Sequence, residues 1–194
     1  MPLAPLVLAS TSPHRRMLLE RLGLPFSCAA PGVDETRQAG ESVTDLVRHL
    51  SRAKAEAAVA RHPGALIIGS DQAAERDGVV LGKPGDHARA VEQLQAASGK
   101  SVTFHTGLCL LDTRNHKRHE CVDTTQVQFR RLDKAEIERY LRAEQAYDCA
   151  GSFKSEGLGI SLFEGIQSDD PTALIGLPLI ALARFLRECG VELP

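Results

Sequence analysis

Tryptophan is absent from this 194-residue chain, and with two tyrosines and six phenylalanines the aromatic share is only 4%. So few flat faces exclude a base-stacking platform for single-stranded nucleic acid. Charge of one sign is lacking too: 23 Lys and Arg stand against 25 Asp and Glu, for a formal net charge of −2. No global field draws polyanions, and any anion site must be local. Cys28, Cys109, Cys121, Cys149 and Cys189 form an odd set without a C-x-x-C pair, which fits reduced thiols rather than a disulfide framework. Met1 to Ser10 has no basic stretch followed by a long apolar segment, so no signal peptide is expected. The longest apolar stretch, Thr172 to Leu186, is broken by Pro178 and Arg184 and falls short of the roughly 20 residues that span a bilayer. These absences point to a cytoplasmic protein that engages neither membrane nor nucleic acid.

What is present is the balance of a folded domain, 43% apolar and 25% charged. At this length folding buries roughly 70% of the unfolded chain's surface, enough for a core without metal or disulfide staples. Residues 1–194 therefore read as a single domain of one or two lobes. Leu6-Val7-Leu8, Ser10-Thr11-Ser12-Pro13 and then Met17, Leu18, Leu19 and Leu22 spell a strand, a turn and a helix. A short strand from Phe26 to Ala29 leads into a loop through Gly40. A long helix follows, capped by Ser42, with Leu46, Val47, Leu50, Ala53 and Ala57 on its apolar face and His62-Pro63-Gly64 as its stop.

Ala65 to Ile68 reads as a buried strand that ends in Gly69-Ser70-Asp71-Gln72, and Asp77-Gly78 as the turn of a small hairpin. Asp86 starts a helix to Ala97. Val102–Leu111 and Cys121–Phe129 alternate as a long antiparallel hairpin, and Asp133 caps a charged helix to Glu144. A Gly-rich loop, Gly151 to Gly159, precedes a strand near Ile160 to Phe163, and Pro178 opens a last helix that Gly190 ends. The order predicts an α/β fold with a mixed, twisted sheet flanked by helices.

Common nucleotide fingerprints fail. Gly99-Lys100-Ser101 resembles the end of a P-loop, but Leu94 stands where its first glycine belongs. Gly157-x-Gly159 does not open a helix after a strand. Cys109, His116, His119 and Cys121 have no recognised zinc spacing. The exit of the first strand is more informative, because Ser10 and Ser12 at a helix start, with Pro13 at its first position, offer amides and a dipole to a phosphate. Arg15 or Arg16 adds a forked contact. Lys54 lies roughly 40° round its helix from Leu50, inside the apolar stripe, where an ammonium either snorkels or enters a cleft and binds an anion. Asp71 and Lys83 flank the small hairpin at positions that line ligand crevices in α/β sheets.

Ser10-x-Ser12-Pro13-x-Arg15, Glu35, Lys54 in Ser51-x-x-Lys54-Ala55, Gly69-Ser70-Asp71-Gln72, Gly82-Lys83-Pro84 and Gly176-Leu177-Pro178 together resemble the Maf family of nucleoside-triphosphate pyrophosphatases over almost the whole chain. The segment Cys149-Ala150-Gly151-Ser152-Phe153-Lys154-Ser155-Glu156-Gly157 is similar to the branch associated with 7-methyl-GTP. The resemblance implies an elongated, ITPase-like α/β fold with a central cleft, dependence on a divalent cation such as Mg2+ or Mn2+, a homodimer, and a role in clearing the nucleotide pool. By the same resemblance Asp71 is the proton acceptor. Ser10, Ser12, Arg15, Lys54 and Lys83 handle substrate phosphates, and Glu35 with Asp71 holds the metal. His14, Gln72 and Glu156 fall at the positions that choose the base, with His14 where a larger aromatic is expected. Two alternatives stand beside 7-methyl-GTP hydrolysis: a pyrophosphatase for dTTP and UTP or for several nucleotides, and a regulator that binds a nucleotide without cleaving it.

Overall fold

A computed structural model describes residues 4–194. Its elements are mixed α and β: β1 (Leu6–Leu8), α1 (Pro13–Glu20), β2 (Phe26–Cys28), α2 (Val43–Glu56), β3 (Leu66–Arg76), β4 (Val79–Leu81), α3 (His87–Ala97), β5 (Ser101–Asp112), β6 (Lys117–Phe129), α4 (Lys134–Glu144), β7 (Phe163–Gln167) and α5 (Leu179–Glu188). Among the described residues the strands form one seven-stranded sheet in the order β2-β1-β3-β5-β6-β7, with β4 paired to β3. Packing divides the described residues into two compact units, one of residues 4–72, 106–123 and 170–194, the other of 73–105 and 124–169.

In the first unit β1 runs parallel to both β2 and β3, with Leu8 level with Cys28 and Ile68. A strand flanked this way is covered on both faces, which is why Leu6-Val7-Leu8 and Leu66-Ile67-Ile68 read as continuous apolar runs. Leu6, Leu8, Leu66, Ile68, Leu108 and Leu110 pack with Leu18 and Leu19 of α1 and Leu182, Phe185 and Leu186 of α5. Val7, Ala9, Ile67, Cys109 and Leu111 cluster instead with Ala55 and Ala58, at the end of α2. Each large core side chain contributes about 1.5–3 kcal/mol on burial, against about 1 kcal/mol for a cap such as Ser42. The core therefore decides where helices lie and the caps decide where they begin.

α2 approaches the sheet backbone to backbone. A Cβ on Gly69 would lie 2.0 Å from the Ser51 carbonyl oxygen, and one on Gly107 would lie 2.2 Å from that of Val47. Only glycine permits that approach, and it carries Lys54, near the helix end, onto the sheet face.

The structure corrects four sequence expectations. β3 does not stop at Gly69-Ser70-Asp71-Gln72 but runs on to Arg76, so that the expected hairpin, with Ala74, Glu75 and Arg76 paired to Leu81, Val80 and Val79 of β4, is continuous with the buried strand. α2 ends at Glu56, and a single 3-10 turn, Val59–Arg61, lies between it and His62-Pro63-Gly64. β6 starts at Lys117 rather than Cys121, since Asp112 accepts bonds from the backbone N, Nε and Nη2 of Arg114 and from Nδ2 of Asn115, which tightens the preceding turn. The strand expected near Ile160 begins at Phe163, after a 3-10 segment over Leu158–Leu162.

In the second unit, α3 is capped by Asp86, whose side chain accepts from Arg89 N, and α4 by a reciprocal Asp133–Glu136 capping box. Phe104, Phe129, Phe153 and Phe163 meet edge to face at centroid distances of 4.8–5.6 Å. Four of the six phenylalanines thus meet in one cluster, of which Phe153 anchors the segment that carries Glu156.

Candidate active site

The parallel pairing between β1 and β3 stops at Ile68, and pairing on that side of β3 resumes only at Ala74. Asp71 stands in this interval, 8% exposed. Lys54, 5% exposed, reaches it from α2, with Nζ 2.6 Å from Asp71 Oδ1 and 2.6 Å from Glu35 Oε1. The lysine singled out for its place on an apolar stripe thus carries its ammonium to a point where two carboxylates converge. Glu35 comes from the loop after β2 and its side chain is 60% exposed.

Arg15 belongs to the same electrostatic field. Burial lowers its guanidinium from the ordinary arginine value, and the charges of Asp71 and Glu35 act in the opposite direction. Its Nε donates to the Gly176 carbonyl at 2.8 Å, which fixes the plane of the fork. The Ser70 hydroxyl faces the carbonyls of Gly107 and Gly176 at 2.8 and 2.9 Å. Two cations and two carboxylates cancel by formal charge, so this group alone offers a triphosphate no excess of positive charge.

Ser12 caps α1 by accepting from Arg15 N at 3.4 Å, and Ser10 Oγ accepts from Ser12 N at 3.1 Å. Those two amides are therefore satisfied within the turn, which narrows the expected anion site to the remaining amides and to Arg15. His14 is half-buried in the first turn of α1.

Gln72 is more committed than the sequence indicates. Its Nε2 donates towards Thr106 Oγ1 at 3.0 Å, the Ala173 carbonyl at 2.9 Å and the Leu174 carbonyl at 3.0 Å. An amide nitrogen has two protons, so Oε1 is the atom left to meet a ligand. Sequence reasoning missed this support and the device behind it. Asp170, 2% exposed, accepts from the amides of Thr172 and Ile180 and from the Thr172 hydroxyl, fixing the loop that supplies the carbonyls of residues 173, 174 and 176. Asp170-x-Thr172 before an apolar run is a readable capping signal, whereas Thr106 carries none.

Lys83 and Glu156 belong to the second unit. Lys83 is exposed in the loop after β4, where Gly82 O accepts from Gln93 Nε2 at 3.0 Å and Gly85 N donates to Tyr147 O at 2.9 Å. Glu156 is exposed on a segment held to α4 by Lys154 N donating to Tyr140 Oη at 3.1 Å and Leu158 N donating to Glu144 Oε2 at 2.5 Å.

The donor set fits a hard divalent cation. Glu35 and Asp71 are carboxylates of the right kind, though Glu35 Oε1 and Asp71 Oδ1 both close on Lys54 Nζ; Mg2+ is commonly held by one or two carboxylates, with water and substrate phosphates completing its shell. Among the described residues no group of three or more His, Cys, Asp or Glu gathers as an all-protein cage. No helix among them is long and apolar enough to cross a membrane.

Comparison with known proteins adds a second line of observation. The profile of the family described as Maf-like protein matches residues 5–189. A protein of Pseudomonas aeruginosa named 7-methyl-GTP pyrophosphatase is 56% identical over 190 residues, 97% of this chain and 98% of the relative. A protein of the same name from Xanthomonas oryzae is 57% identical over 189 residues, again 97% and 98%. Among solved structures, a HAM1 protein from Coxiella burnetii aligns with a TM-score of 0.48 and 14% identity over 96% of this chain and 98% of its own.

Proposed function

We propose a function from one premise: the chain belongs to the Maf-like protein family. It hydrolyses 7-methyl-GTP to 7-methyl-GMP and pyrophosphate. The substrate is taken from relatives 56–57% identical over 97% of the chain that carry the name 7-methyl-GTP pyrophosphatase. The observation in this chain that carries the chemistry is the meeting of Lys54 with Asp71 and Glu35 at 2.6 Å, beside Arg15.

Asp71 is the general base. Lys54 holds Oδ1, which fixes the carboxylate and leaves Oδ2 to take a proton from a water attacking the α-phosphorus. The bond from that phosphorus to the bridging oxygen breaks, and pyrophosphate leaves with the electron pair. Arg15, oriented by Gly176, meets phosphate oxygens as negative charge moves toward the leaving group, and the family resemblance gives Lys83 the same role. Ser10 and Ser12 shape the turn that presents Arg15. Glu35, whose side chain is 60% exposed and free to turn an oxygen away from Lys54, would be the main holder of Mg2+ or Mn2+, with Asp71 beside it, and the ion would supply the positive charge that the balanced Lys54, Arg15, Asp71 and Glu35 group lacks.

Base choice falls to Gln72, His14 and Glu156. Gln72 Oε1 accepts from the guanine N–H edge, His14 stacks, and the Glu156 carboxylate complements the positive charge that methylation places on N7. The protein acts in the cytoplasm as a homodimer, as the family resemblance implies.

Hydrolysis in 18O-labelled water tests the bond assignment. Label should appear in 7-methyl-GMP and not in pyrophosphate; label in pyrophosphate would overturn attack at the α-phosphorus. Asp71→Asn should lower kcat by about 10²–10⁴-fold while still binding the nucleotide. Wild-type-like turnover in that variant would remove Asp71 as the base, and binding without turnover in the wild type would favour a regulator.

A further inference from the structure

Ser152 is fully buried and adopts φ +64°, a left-handed conformation rare for a residue with a side chain, immediately after Gly151 at φ +78°. Such a backbone costs free energy and persists where its surroundings over-determine it. What it achieves is specific: it aims the Ser152 hydroxyl at Gln93 of α3, donating to Oε1 at 2.6 Å. The other end of the same side chain, Nε2, donates to the Gly82 carbonyl at 3.0 Å. Gln93 therefore bridges the Cys149–Gly157 segment, which contains Glu156, to the loop that carries Lys83.

A second link runs in parallel. Gly85 N donates to the Tyr147 carbonyl at 2.9 Å, so the backbone on both sides of Lys83-Pro84 is gripped, at Gly82 by Gln93 of α3 and at Gly85 by Tyr147, two residues before the Glu156 segment. The Tyr147 ring is itself held, with Oη 2.9 Å from His87 Nδ1, while His87 Nε2 lies 3.0 Å from Glu138 Oε2. Of these attachments, Gln93 is the one made by side chains on the segment side, so it can be cut without removing a backbone-to-backbone bond.

We propose that Gln93 is a positioning residue for specificity, coupling the loop of Lys83 to the segment of Glu156 so that engagement of the base fixes the phosphate-binding lysine. The inference rests on the roles proposed above for Lys83 and Glu156. With 7-methyl-GTP the cationic base engages the Glu156 carboxylate, the segment is held, and Gln93 transmits that order to Gly82 and Lys83. GTP lacks the positive ring, so its turnover draws less on the bridge. The consequence is a change in ratio between substrates, which a purely structural role would not produce.

The test compares kcat/KM for 7-methyl-GTP and GTP in wild type, Gln93→Leu and Ser152→Gly. Gln93→Leu should lower the 7-methyl-GTP value about five- to tenfold, the size of one lost hydrogen bond, and the GTP value less than twofold. Ser152→Gly removes the hydroxyl but suits the left-handed backbone, so the same fall in ratio should appear with Tm within about 4 °C of wild type. It keeps the test open if Gln93→Leu folds poorly. In a Lys83→Met background, Gln93→Leu should add less than twofold. A selective wild type whose ratio is unchanged in both variants, or full additivity with Lys83→Met, overturns the role of Gln93 alone. A wild type without selectivity overturns this inference and the substrate assignment together.

Discussion

Replacing Lys54 by Met keeps most of the aliphatic stem in the α2 stripe and removes the ammonium from between two carboxylates. Asp71 Oδ1 and Glu35 Oε1 each lie 2.6 Å from Nζ, so they are no more than twice that distance apart. At that separation two unit negative charges repel by about 1 kcal/mol in water and about 3 kcal/mol at an effective dielectric of about 20. Asp71 is 8% exposed and cannot turn to solvent, whereas Glu35, at 60%, can swing out and relieve part of the repulsion. Losing one partner of a buried pair costs about 3–5 kcal/mol, and the freedom of Glu35 puts the expected loss near 3 kcal/mol. Urea unfolding at neutral pH should show this as a lower midpoint at unchanged slope. Adding Asp71→Asn to Lys54→Met removes the stranded charge and should restore about 2 kcal/mol. A loss below 1 kcal/mol, or no recovery in the double variant, would refute the reading of Lys54 as the neutralising partner of Asp71.

Gly69→Ala places a Cβ 2.0 Å from the Ser51 carbonyl oxygen and 2.8 Å from Ala55 N, both backbone atoms, so α2 must move off the sheet. Stability should fall by about 1–3 kcal/mol and turnover should fall further than the same loss of stability made elsewhere in the core; comparable kcat values would separate α2 packing from the site. Asp112, which accepts four bonds from Arg114 and Asn115, is held below the usual carboxylate range chiefly by its Arg114 hydrogen bond. A depressed folded-state pKa contributes stability above about pH 4, lost as pH falls through the folded value. Asp112→Asn should therefore cost about 1–2 kcal/mol at neutral pH and flatten the acid limb of a stability–pH curve, a result that an unchanged limb would contradict.

How far the site could be read from the sequence varies with the range of the interaction. Lys54 stands out locally, because helix geometry alone sets it on the apolar stripe of α2. Its partner does not, since the meeting with Asp71 depends on glycine contacts between α2 and two strands. The small hairpin at Asp77-Gly78 was legible from its turn, whereas its continuity with Leu66-Ile67-Ile68 through Gly69-Ser70-Asp71-Gln72 was not. Ser12 and Asp133 as caps follow from local chemistry and were legible. The use of Gln72 Nε2 on the carbonyls of residues 173 and 174 arises about a hundred residues away and leaves no local trace.

The central claim, a selective pyrophosphatase for a methylated guanine nucleotide, is tested most directly by a product-resolved assay of the purified protein with Mg2+ or Mn2+. Initial rates on 7-methyl-GTP, GTP, dTTP, UTP and CTP are compared, with monophosphate and pyrophosphate both identified. The account predicts stoichiometric 7-methyl-GMP and pyrophosphate and the highest kcat/KM on 7-methyl-GTP. Preference for dTTP or UTP would contradict the assignments of His14, Gln72 and Glu156, and release of inorganic phosphate in place of pyrophosphate would contradict the reaction itself.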